Sequence, residues 1–235
     1  MFGLAFPLPC PLAMHIPDGY LSWPVSLVNW GIALGLIAVS LRRVKESYQD
    51  RTVPLMGVVA AFIFAVQMIN FPIPGGTSGH LLGGTLAGVL VGPWAGTLVM
   101  TVVFIVQAVF FQDGGLTVLG ANIVNMGLIG TFGGYYVYLI LRRMFGFQRW
   151  RGLAIGAGLA GWLSVVVAAL VVALELALSG TVQLQVALVA MLGWHIVIGI
   201  GEAIITVMAL SYIWKTRPDL FFDPPHHPKK ALQYE

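Results

Sequence analysis

The sequence predicts an all-α integral membrane protein, a seven-helix bundle with its amino terminus outside and its carboxyl terminus in the cytoplasm. Three observations carry this. Of 235 residues, 58% are hydrophobic and 9% charged, with a mean hydropathy of +0.90, whereas a soluble domain carries about 25% charge. Apolar runs long enough to cross a bilayer, about 20 residues each, follow one another from Leu21 to Trp214. Basic residues gather in short clusters between these runs, where they set orientation. The formal net charge of +3 is therefore no nucleic-acid signature. A single cysteine, Cys10, leaves no disulfide framework.

The first span, Leu21 to Leu41, ends in Arg42, Arg43 and Lys45, which places that end in the cytoplasm. A second, Val53 to Phe71, returns outward and is broken by Pro72 and Pro74. The turn from Pro74 to His80 is rich in glycines, which let the backbone approach other groups closely, and it delivers His80 to the outer side.

Residues 81–111 are almost uninterrupted apolar sequence, too long for one span and short for two. Parity decides. The clusters Arg142/Arg143/Arg149/Arg151 and Lys215/Arg217/Lys229/Lys230 belong on the side of Arg42. That requires a split at Gly92-Pro93, giving a short third span, Gly79 to Gly92, and a fourth, Pro93 to Phe111.

Gln112-Asp113-Gly114-Gly115 is read as an outer turn. The fifth span is Thr117 to Leu141, the sixth Leu153 to Leu178 and the seventh Leu184 to Trp214. The domain organisation is a leader, 1–13, a membrane domain, 14–215, and a cytoplasmic tail, 216–235, whose stretch from Phe222 to Lys230 is too rich in proline to pack. Small residues recur at every fourth position, as in Gly31/Gly35, Ala61/Ala65 and Gly84/Gly88/Gly92, a spacing that lets helices approach closely within the bundle or against another membrane subunit.

The candidate site starts from Met14-His15. At a free amino terminus, the Met14 amine, the deprotonated amide nitrogen of His15 and its Nδ1 close two adjacent chelate rings in one plane. A fourth nitrogen completes a square, a geometry that selects Ni(II), Cu(II) or low-spin Co(II) over oxygen-seeking ions. Zinc prefers a tetrahedron. The leader MFGLAFPLPCPLA stands in the way. Met14 is the initiator with the leader untranslated, or the leader is cleaved after Ala13 as signal peptides are after a small residue. A retained extension leaves no amine.

His80 reaches the same outer face and is the candidate fourth nitrogen. Around it, Gln67 and Asn70 share one helical face, as do Asn122 and Asn125. These are candidates to orient the imidazoles or to bond helices together. His195 and Glu202, seven apart, share a face of the last span, where ionisable groups are functional or paired; His195 joins the supporting candidates. Glu175 is read as reaching water, and Asp18 as shaping a turn. There is no G-x-x-x-x-G-K-[ST] loop for nucleotide and no H-E-x-x-H of a zinc protease.

Four separated stretches, MHIPDGYLS at 14–22, FPIPGGTSGHLLGG at 71–84, FFQDGGLTVLGANIVNMG at 110–127 and HIVIGIGEAIIT at 195–206, resemble the CbiM/NikM family. Its members are the substrate-capture components of energy-coupling factor transporters for cobalt and nickel. The resemblance implies a seven-helix fold in a prokaryotic cell membrane, with Met14, His15 and His80 on the metal through four nitrogens. It implies transported Ni²⁺ or Co²⁺ and no permanent cofactor. The partners it implies are a transmembrane coupling subunit, two ABC ATPase subunits that hydrolyse ATP, and a small accessory membrane subunit. This chain itself would be no enzyme.

Acid should weaken the ion's hold, because the ligands must lose protons to bind. A rival comes from Gly76-Thr77-Ser78-Gly79, the GxSG motif of rhomboid intramembrane serine proteases, with Ser78 as nucleophile and His195 as base. The early-span histidine of that family has no counterpart here, and the chemistry needs nucleophile, base and oxyanion donors together.

Overall fold

The computed structural model describes residues 15–48, 52–69, 71–73, 77–145 and 150–223. The leader, Met14, Asn70 and residues 224–235 lie outside the described set.

Helix α1, Trp23–Ser47, starts with a proline in its first turn, where a missing N–H costs nothing. Its buried positions are Ser26, Asn29, Ala33 and Ser40, while Leu27, Val28, Ile32, Leu34, Val39 and Leu41 are exposed. A small and polar stripe faces in and an apolar one faces out. That inverts the soluble pattern and suits a lipid surround. Helix α2, Thr52–Gln67, is shorter. It leads to the two strands among the described residues, β1 (Phe71–Ile73) and β2 (Thr77–Gly79), which pair antiparallel with Phe71 opposite Gly79. This ribbon stands where an open turn was expected.

Helix α3, Gly84–Phe110, breaks at Gly92, whose φ of 80° and ψ of 163° are not helical, and Pro93 follows. In a continuous helix, residues eight apart are separated by about 12 Å. Yet a Cβ on Gly96 would lie 3.2 Å from the Gly88 nitrogen. The two halves therefore run back alongside each other. The first half begins at Gly84 rather than Gly79. At eight residues it rises only about 12 Å, so a crossing on this leg is completed by the non-helical residues 80–83 that precede it.

Helix α4, Leu119–Phe145, is π-wound from Ile123 to Gly133. Helices α5, Trp150–Leu178, and α6, Leu184–Thr216, pack against each other. Five of these helices are long and apolar enough to cross a membrane, counting α3 as one, and α2 is a shorter apolar helix. The protein is a multi-pass membrane protein.

Two readings from sequence are corrected here. The described start of the tail, 216–223, packs: Phe221 is buried, Phe222 donates its N–H to the Val89 carbonyl at 3.1 Å and stacks on Tyr48. The aromatic pair precedes the prolines and has an apolar surface to cover. Glu175 does not reach water. It is 7% exposed and accepts bonds from Asn29 (2.8 Å) and Asn125 (2.6 Å), tying α1 and α4 to α5. A carboxylate removed from water needs such donors.

Candidate metal centre

The segment after Met14 is pinned into the bundle by its backbone. Ile16 donates its N–H to Asn122 Oδ1 at 2.9 Å, and its carbonyl accepts from Asn122 Nδ2 (3.3 Å) and from the Gly115 N–H (2.9 Å). Asp18 closes a second clasp. Its carboxylate accepts from the Leu116 N–H (3.2 Å), the Thr117 N–H (2.7 Å) and Thr117 Oγ1 (2.5 Å). Burial pushes the Asp18 carboxyl up, but these bonds outweigh it and hold it below its ordinary value. The loop must be glycine at 115, because a Cβ there would stand 2.3 Å from Asp18. Asp18 itself lies in a turn, as expected of the Pro-Asp-Gly segment, and its carboxylate also holds the 112–118 loop.

This clasp sends His15 inward. His15 is 3% exposed and His80 1%. Their rings lie against each other with centroids 4.3 Å apart and planes 32° apart, and Phe104 meets His15 in a T-shaped contact at 5.5 Å. His80 Nδ1 is 2.9 Å from the Leu81 carbonyl. A carbonyl only accepts, so Nδ1 carries the hydrogen and Nε2 keeps its lone pair. The Nε2 atoms of both rings are buried with no partner.

His15 Nδ1 is 3.0 Å from Asp113 Oδ1, within ion-pair distance but off the line a ring N–H needs for a hydrogen bond. Burial pushes the Asp113 carboxyl up; the adjacent His15 outweighs it, leaving the carboxyl below its ordinary value.

The supporting residues act differently from expectation. Gln67 donates to the Leu82 carbonyl at 2.6 Å and accepts from Gln107 at 2.9 Å; it holds the chain after His80 and touches no imidazole. Asn122 orients His15 through the backbone of Ile16. Asn125 serves Glu175. Residues three apart share a face in an α-helix, but the wider π winding turns them apart, so Asn122 and Asn125 look in different directions.

His195 is fully buried. Its Nδ1 is 2.6 Å from the Met191 carbonyl and its Nε2 has no partner. Glu202 accepts the N–H groups of Leu82 and Gly83 at 2.9 Å each, capping the entry to α3. Among the described residues no three His, Cys, Asp or Glu side chains are grouped to hold an ion by themselves. Sequence reasoning passed over Asp113, whose only signal was an acid between Gln112 and two glycines in a loop facing the same side as His15.

Fold and site together define a polytopic membrane protein that packs two histidines, one from its amino-terminal segment and one from a loop, inside a helical bundle. Residues 15–220 match the family CbiM, described as the cobalt uptake substrate-specific transmembrane region, and the chain belongs to that family. A chain of Archaeoglobus fulgidus, provisionally named a fused nickel transport protein, NikMN, is 42% identical over 221 residues, spanning 93% of this chain and 72% of that one. A relative from Methanocaldococcus jannaschii, provisionally named a metal transport protein, is 38% identical over 217 residues, 88% of this chain and 95% of its own. The crystal structure of a truncated transition metal transporter superposes with a TM-score of 0.78 at 35% identity, covering 86% of this chain and 98% of that chain. These comparisons give no support to the serine-protease alternative at Ser78 and His195.

Proposed function

We propose that this chain is the substrate-specific membrane subunit of an ATP-driven transporter of the energy-coupling factor type. It captures Ni²⁺ or Co²⁺ at its outer face in a planar four-nitrogen site and passes the ion inward. The observation that carries the reading is His15 packed on His80 with His15 Nδ1 and His80 Nε2 both buried and without a hydrogen-bond partner. Because His80 Nδ1 is engaged by the Leu81 carbonyl, its Nε2 is the fourth nitrogen. The Met14 amine, the His15 amide and His15 Nδ1 are the other three, and a planar nitrogen set suits both ions. Nickel stands in the name of the Archaeoglobus relative and cobalt in that of the family.

The chain crosses the membrane seven times, amino terminus outside. The reversal at Gly92 supports this reading. So does the gathering of basic helix ends. Arg43 lies over Trp94, beside the Gly92-Pro93 reversal, and Arg142 donates to the Asp223 carbonyl. That end is cytoplasmic by its positive charge. A transmembrane coupling subunit, two ABC ATPases and a small accessory membrane subunit supply ATP hydrolysis and motion; this chain holds the ion as cargo and catalyses nothing.

The test is amino-terminal sequencing of membrane-expressed protein, followed by nickel titration of wild type and His80→Ala. A chain starting at Met14 with a free amine, and nickel affinity lost in the variant, are expected. A chain starting at Met1, or nickel binding untouched by His80→Ala, overturns the proposal.

A further inference from the structure

Asp113 stands beside the proposed ligands without being one of them. Its Oδ1 is 3.0 Å from His15 Nδ1. Its own N–H is fixed to the Gln107 carbonyl at 3.1 Å, so the carboxylate is held at the end of α3. The next residue, Gly114, has φ of 92°, and a Cβ there would reach Asn122 at 3.0 Å and His15 at 3.5 Å. The loop therefore follows His15 closely. The other acid of this loop contact, Asp18, is committed to Leu116 and Thr117.

The charges of the four-nitrogen site do not balance by themselves. A divalent ion held by an amine, two neutral imidazoles and one deprotonated amide keeps a single positive charge. His15 and His80 are buried, and an uncompensated charge is costly there. One carboxylate supplies the missing negative charge, and its oxygen suits a planar nitrogen set too poorly to join the ligands.

We infer that Asp113 is the counter-charge of the bound ion, a positioning residue that sets affinity for a divalent cation from beside the ligand plane. This rests on the four-nitrogen reading.

The experiment uses the full chain in detergent. Nickel is titrated into wild type, Asp113→Asn, Asp113→Glu and His80→Ala by calorimetry and by visible absorption, and each metal-free protein is melted. Asp113→Asn should bind nickel about 10- to 100-fold more weakly, the range for residues that support a metal ligand. Its nickel absorption bands and metal-free melting should match wild type, and Asp113→Glu should recover most of the affinity. Wild-type affinity in Asp113→Asn overturns the inference. So do altered absorption bands, which would make Asp113 a ligand. Lowered metal-free melting without rescue by Asp113→Glu would make its role structural and overturns it too. If His80→Ala keeps full nickel affinity, the four-nitrogen reading itself falls, and the inference with it.

Discussion

Asn122→Ala separates a backbone tether from an imidazole-orienting role. The variant removes both side-chain bonds to Ile16. Ile16 is 1% exposed, so its N–H is left without a partner at a cost of about 1–3 kcal/mol. Its carbonyl keeps the 2.9 Å bond from Gly115, so the second loss adds little. The strained segment relieves that cost by leaving its slot, which withdraws His15 from His80. Apparent affinity falls with the docked fraction, by up to about 5- to 150-fold for that range of energies. Calorimetric nickel titration of the purified variant measures the loss, and visible absorption reports the ligand set. A tether predicts weaker binding with unchanged absorption bands, since on the four-nitrogen reading the bound state keeps the same ligands. A folded variant that binds nickel as tightly as wild type refutes the reasoning. Unchanged affinity with shifted bands would instead return Asn122 to the role of orienting a ring.

Two further outcomes follow from the geometry. Asp18, held below its ordinary value of 3.8, keeps its clasp ionised above that value and loses the stabilisation only as pH falls through its folded value. On the four-nitrogen reading, loss of nickel in mild acid comes from protonation of the nitrogen ligands and not of Asp18, and an affinity-against-pH series should have the same slope in wild type and Asp18→Asn. Gly92→Ala puts a side chain at φ 80°, with a Cβ 2.6 Å from the Tyr48 hydroxyl and 2.7 Å from Phe222. The backbone strain alone costs about 1–2 kcal/mol, and thermal melting should show lowered stability.

The helical character was legible because lipid demands it: buried backbone groups must bond within the segment, so long apolar runs had one reading. The break at Gly92-Pro93 was legible for a different reason. Proline removes a donor and glycine tolerates positive φ, so an apolar run that had to be cut had one place to be cut. Glu175 was misread because distance along a helix from its end says nothing about which neighbours cover it. Its donors, Asn29 and Asn125, come from helices that are 146 and 50 residues away in sequence. The packing at the start of the tail was hidden for a similar reason: the prolines announce irregular backbone, but Phe221 and Phe222 precede them and follow the rule for apolar side chains.

At the site, histidine was legible as a residue type and its partners were not. An imidazole in an apolar chain announces itself, whereas an amide side chain such as Asn122 or Gln67 can hold a ring or a backbone with the same atoms. The structure decides for backbone in both cases, and there is a physical reason for that choice. A chelate built on the main-chain nitrogen of His15 needs the adjoining chain held as firmly as the ring. Asn122 holds the next residue, Ile16, by its N–H and Gly115 holds it by its carbonyl, which leaves the His15 ring free to meet His80. Asp113 is the acidic side chain set against that ring. An acid in a glycine-rich turn reads from sequence as a turn former; its charge acquires meaning only when the loop is folded over two buried imidazoles.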